Sequence, residues 1–273
     1  MVTVQFPAYR EYESQRKDVN NSIMALLAGA GLAANTLQLT QGSARLLPEI
    51  FPAVPHIGRF NLTSEAAADL LASADSHLAA MSVPYVLSLH EAYLKACIRL
   101  LVQADLVPSA KLKVTLASQH QVIATGTGAD FSRSHLQILG MIREMRNCLM
   151  HAGALASPAL ISRLREWEPN TRLAWQHFGG ADLSGLRVEE PIKFGLPELI
   201  ATLATTKALS RAANEMLVAG LPREAWIETL SDDASGSKTN AQIRSEQFEK
   251  HVRGVARFNY GGLAFTADEI TSA

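Results

Sequence analysis

Arg146, Asn147 and His151 stand within six consecutive residues, and Arg143 precedes them by one helical turn. The set joins cations that do not deprotonate, an amide, and an imidazole that exchanges protons near neutral pH. These are the groups that cleavage of RNA without a metal asks for. RNA carries its own nucleophile, the 2′-hydroxyl beside the scissile phosphate. His151 can remove or return a proton, and the rigid fork of Arg146 matches the phosphate oxygens on which charge accumulates. Asn147 can orient the imidazole or hold the substrate backbone. One histidine cannot easily act as base and acid on opposite sides of an in-line displacement. Two copies facing each other across a two-fold axis meet that demand and double the local positive charge.

On a helix, with about 100° between successive residues, Asn147 and His151 lie nearly one above the other. Arg146 shares their broad polar arc, and Arg143 extends it one turn back. Leu139, Ile142, Met145 and Leu149 can pack on the opposite side. A plainer reading competes: a basic residue at a helix C-terminus also stabilises it through the helix dipole, by about 0.3–1 kcal/mol. Arg143 is a candidate phosphate contact. His90 is a candidate for the same cleft or an exposed helix histidine. Glu91 could hold Arg143 or Arg146 across a helix interface, although pairing with Lys95 four residues on is simpler. His120 and His135 have no defined partner and read as surface or hydrogen-bonded structural residues.

The elements that must position these groups are mainly helical. A helix is expected over 10–34, its second half buried through Ile23, Leu26, Leu27 and Ala30. The proline-rich stretch 46–61 reads as an irregular connection. Thr63 or Ser64 caps a helix to about 79, and Pro84 suits the first turn of the next, running to about 104. Residues 111–125 break the pattern: Leu112, Val114 and Leu116 alternate with polar residues ahead of Gly126 and Gly128, so a short hairpin or ordered loop is expected. The motif helix spans about 132–151, with Gly153 as its stop. A brief strand is expected at 186–189, a long helix at 197–217, and a short one after Pro222. A Ser/Asp/Gly linker is expected over 231–239 and a final helix over 240–257. Its Lys250, Arg253 and Arg257 form a stripe that could touch RNA backbone or, more simply, be a solvated side. Trp167, Trp175 and Trp226 read as core or interface anchors.

Composition sets the bounds. The chain has 273 residues, 48% hydrophobic and 19% charged, with a formal net charge of -1. That is globular, with no global excess of positive charge for nucleic acid, so RNA binding needs a locally basic cleft. Cys97 and Cys148 sit in apolar helical patterns and read as buried thiols of a reducing compartment. No metal-ligand spacing exists, and no cofactor is implied. Apolar runs are too short to span a bilayer and no secretory segment is present, so a cytoplasmic protein is expected.

The segment Arg146-Asn147-Cys148-Leu149-Met150-His151 resembles the signature of the HEPN superfamily: an arginine, a polar residue, three or so variable positions and a histidine. The stretch from Ser88 to Lys95 resembles the long first helix of several of its branches. The pattern from Gly185 to Val188 through Pro197 and a long apolar helix also looks familiar for the group. The resemblance covers roughly residues 60 to 220. It implies a helical bundle, here with a short hairpin or loop insertion and a C-terminal helical extension. The expected organisation is 1–60 as an N-terminal helix and connection, 61–220 as the HEPN-like domain, and 221–273 as the extension.

The resemblance further implies a homodimeric endoribonuclease with a composite site, Arg146 and His151 as its catalytic pair and Asn147 in support. Its products would carry cyclic phosphate and 5′-hydroxyl ends. Such proteins serve as toxins or antiviral defence effectors, with an antitoxin or regulatory protein as partner. Some carry a tyrosine two residues beyond the histidine, where a partner nucleotidyltransferase modifies them; Gly153 stands there and argues against that route. Members without nuclease activity also exist, so a non-catalytic helical module binding nucleic acid or protein is the alternative.

Overall fold

In the computed structural model, which describes residues 3–40, 42–59, 61–236 and 246–272, the chain is built from helices. They are α1 (Pro7–Gln38), α2 (Leu47–Ile50), α3 (Ser64–Ala72), α4 (Ala74–Gln103), α5 (Leu116–Thr127) and α6 (Arg133–His151). Then follow α7 (Pro158–Arg165), α8 (Pro169–His177), α9 (Leu196–Gly220), α10 (Arg223–Ser235), α11 (Glu246–Asn259) and α12 (Ala267–Ser272). Central α4 packs on α9, α1, α5 and α6, and α6 also meets α9, α7 and α8. One continuous apolar core runs from Val4 to Tyr260.

The ends of the chain are tied into that core. Asn214 of α9 donates to the Val4 carbonyl (2.8 Å) and accepts from the Val4 N–H (2.9 Å), clamping the segment before α1. Arg10 of α1 grips Asp233 of α10 through both carboxylate oxygens (2.7 and 2.9 Å), and Tyr260 donates to the same carboxylate (3.0 Å). Trp167, Trp175 and Trp226 are buried. Cys97 and Cys148 are buried free thiols. Among the described residues no helix is long and apolar enough to cross a membrane.

The expected hairpin is absent. No strand forms among the described residues; only two isolated bridges, Leu46 with Thr63 and Leu155 with Pro191, occur. Of the alternating residues Leu112 falls in a 3₁₀ turn (Ser109–Lys113), Val114 just after it and Leu116 at the start of α5, which buries Leu116, Gln119, His120 and Ile123. Those offsets of three, four and seven are a helical face, which the alternation just before it conceals. Gly126 lies inside the helix because a Cβ there would meet Val107 Cγ1 at 2.8 Å; Gly128, at φ 68°, is the true stop. Residues 186–189 form no strand either; a turn at Val188 and Glu189 takes its place. Glu189 N–H donates to the Ala156 carbonyl (2.9 Å) and Ala156 N–H to the Glu190 carbonyl (2.8 Å) without building a ladder.

Three boundaries also differ. Helix α3 stops at Ala72, and α4 starts at once and runs straight through Pro84. Burial of Val83, Val86 and Leu87 holds the proline in the helix against its missing N–H. The second half of α1, expected to be buried, is largely open: Leu26 is 57% and Leu32 71% exposed, with only Ile23 and Leu37 buried beyond residue 20. Helix α10 continues to Ser235 into the expected linker and ends at Gly236 (φ 46°). The rest of that linker and the start of the final helix lie outside the described residues.

Candidate functional site on α6

Helix α6 begins close to the expected start, and its cap is Ser132, whose hydroxyl accepts from the His135 N–H. Its buried face is Ile138, Leu139, Met141, Ile142, Met145 and Cys148. The opposite arc carries half-buried Arg143 and Asn147 and exposed His151 in the last turn, while half-buried Arg146 lies at the border of the apolar face. Gly153 (φ 58°) and Ala154 (φ 62°) then turn the chain away.

A third guanidinium joins from α7. The Arg163 stem passes over α6 at Gly140, where its Cδ and Nε would lie 3.9 Å from a Cβ, an ordinary contact. Gln137 secures this corner: its amide donates to the Glu166 carbonyl (2.7 Å) and its oxygen accepts from the Glu168 N–H (3.3 Å). Burial, with Arg163 and Arg146 close by, holds the Arg143 guanidinium below its ordinary value, while Glu144 and Glu91 act in the other direction. Arg163 makes a long, exposed ion pair with Glu166 (3.6 Å). Arg146 makes no ion pair or hydrogen bond among the described residues, and its Nε is buried without a partner. A buried donor left unpaired in this way raises the free energy of the folded chain.

The other sequence candidates divide. The Asn147 amide donates to Glu144 (3.4 Å), not to His151. Glu91 pairs with Lys95 (2.7 Å), the simpler of the two expectations, and reaches Arg143 only through its field. His90 is fully buried and does not line a cleft. It projects from α4 toward α9 and α5, where Ser210 Oγ lies 2.9 Å from Nδ1 and His120 Nε2 lies 3.0 Å from Nε2.

His120 is therefore no surface residue. Its Nε2 is hydrogen-bonded to His90 Nε2, one of the two nitrogens donating and the other accepting, and His90 Nδ1 is hydrogen-bonded to the Ser210 hydroxyl. Burial, aided by Arg143, pushes His120 down to about 4; burial and His120 push His90 well down. Arg163 and this buried pair are not visible in the sequence as neighbours of the motif. Small Gly140 facing a basic α7 is the only sequence trace of the first.

Among the described residues no group of three or more His, Cys, Asp or Glu is placed to hold a metal. Compared with known proteins, the chain matches no family model, no curated protein and no solved structure, so nothing in these comparisons links it to the HEPN superfamily.

Proposed function

We propose that the chain is an endoribonuclease that works without a metal and acts as a homodimer. The observation that carries this reading is the Arg146 guanidinium, which no carboxylate among the described residues pairs, close to Arg143 (itself near Arg163) and on the same helix as solvent-accessible His151. The reading rests on this arrangement and not on family likeness.

In this mechanism, His151 of one copy takes the proton of the 2′-hydroxyl as that oxygen bonds to phosphorus. The bond from phosphorus to the 5′-oxygen breaks, and the second copy's imidazole protonates the leaving oxygen. The products are a 2′,3′-cyclic phosphate and a 5′-hydroxyl. Arg146 stabilises the charge gathering on the non-bridging oxygens, where a positioned donor contributes most. Arg143 and Arg163 hold the neighbouring backbone by charge. Exposed Met150 and Leu155 flank His151 and supply apolar surface for the second copy.

One observation favours a second reading, a helical module that binds RNA or protein without cutting. Asn147 is engaged by Glu144, and no side chain among the described residues of the single chain orients the His151 ring. A labelled single-stranded RNA incubated with the protein in EDTA separates the two. The ribonuclease reading expects cleavage that Arg146→Ala and His151→Ala each abolish. Tight binding with the RNA left intact supports the module and overturns the enzyme.

A further inference from the structure

Helix α11 divides sharply. Phe248, Val252, Ala256 and, just beyond it, Tyr260 are buried against the rest of the fold, with α10 as the main neighbour. The other side is open and cationic. At about 100° per residue, Arg253, Arg257 and Lys250 form one stripe, Gly254 follows beside it, and Phe258 and His251 form the next flank. Phe258 is 83% exposed. Arg253 meets Glu249 only at 3.7 Å, both largely in solvent, and among the described residues Lys250 and Arg257 make no ion pair. On the far side of the stripe, Arg253 and Arg257 rim a cavity of about 270 Å³ walled by half-buried Phe265 and Ile270, with fully buried Tyr260 beneath it.

A row of fixed charges between an exposed aromatic ring and an aromatic-walled cavity has a defined complement. The ligand must be a chain of phosphates whose flat apolar groups can turn to either side. We propose that this face of α11 binds single-stranded nucleic acid, with Lys250, Arg253 and Arg257 on the phosphates and Phe258 stacked on a base. Aromatic stacking beside a basic track is how sequence-tolerant single-strand binding works. An anionic membrane is the lesser fit. A helix that lies in a bilayer surface needs its apolar face free, and here that face is spent on the core. The site goes beyond the ribonuclease reading and does not depend on it.

The test uses the full chain carrying His151→Ala, so that α6 chemistry cannot consume the probe. Binding of a labelled single-stranded oligouridylate is followed by fluorescence anisotropy over a salt series. Phe258→Ala and Arg257→Ala should each weaken binding by about tenfold, and Arg257→Ala should also lower the salt slope by about one. Phe258→Trp places an indole where the ring stands, and its emission should be quenched as the oligonucleotide binds. Circular dichroism melting checks that each variant is folded. No binding, unchanged affinity in the folded variants, an unquenched indole in Phe258→Trp, or a preference for duplex RNA or anionic vesicles would overturn the proposal.

Discussion

His90 Nε2 stands 3.0 Å from His120 Nε2, and both rings are closed off from solvent between α4, α5 and α9. Two imidazoles at that separation cannot both be charged in a core without great cost. Neutral, they form a hydrogen-bonded chain with Ser210 that runs from α9 through α4 to α5. The pair thus acts as a polar bolt joining three helices.

This bolt makes the fold acid-sensitive. The unfolded chain gains protons on its histidines below about pH 6.5, whereas folded His120 resists protonation down to about 4. Stability is therefore full above pH 6.5 and falls as pH drops through that window. His120 alone accounts for a loss of about 2 kcal/mol between pH 7 and pH 5. Urea unfolding at the two values measures it. His120→Gln keeps a hydrogen-bond partner for His90 and removes one titrating ring, so it should flatten the dependence.

The Ser210→Ala variant leaves His90 Nδ1 buried with no partner. A loss of about 1–3 kcal/mol is expected from the unpaired ring nitrogen, read as a lower denaturant midpoint. An unchanged midpoint would show that Ser210 does not hold the ring.

Gly220, the last residue of α9, crosses α5 so closely that a Cβ would lie 2.9 Å from Thr127 Cα and 3.1 Å from the Thr127 carbonyl oxygen. Backbone atoms cannot step aside as a flexible side chain can. Gly220→Ala should cost about 1–3 kcal/mol, measured by thermal or urea unfolding.

Arg146→Lys keeps the charge and loses the planar fork. If the guanidinium grips two phosphate oxygens, the lysine variant should cleave RNA far more slowly than the native chain, by about 100-fold, with little loss of RNA binding. Equal rates would reduce Arg146 to a point charge.

Much of the scaffold can be read from residue order. Ser132 caps α6, the apolar spacing of 197–217 falls within α9, and the three tryptophans are buried. The hairpin expectation fails because alternating Leu112, Val114 and Leu116 straddle a 3₁₀ turn and the first residue of α5, where period two and period three or four cannot be told apart in so few residues. His90 falls in the core instead of a cleft because periodicity fixes which residues share a face but not which neighbour covers that face. The same limit hides Arg163, whose approach depends on how α7 docks over Gly140. Exposed Leu26 and Leu32 defeat the burial expectation for α1 because apolar composition does not say whether a partner element exists.

The chemistry of the cut ends reads the central claim most directly. RNA is incubated with the native chain in EDTA, and the product termini are identified by mass spectrometry. Attack by the 2′-hydroxyl assisted by His151 and Arg146 predicts 2′,3′-cyclic phosphate and 5′-hydroxyl ends, absent with His151→Ala. Ends bearing 3′-hydroxyl and 5′-phosphate, or cleavage that appears only when a divalent metal is restored, would contradict it.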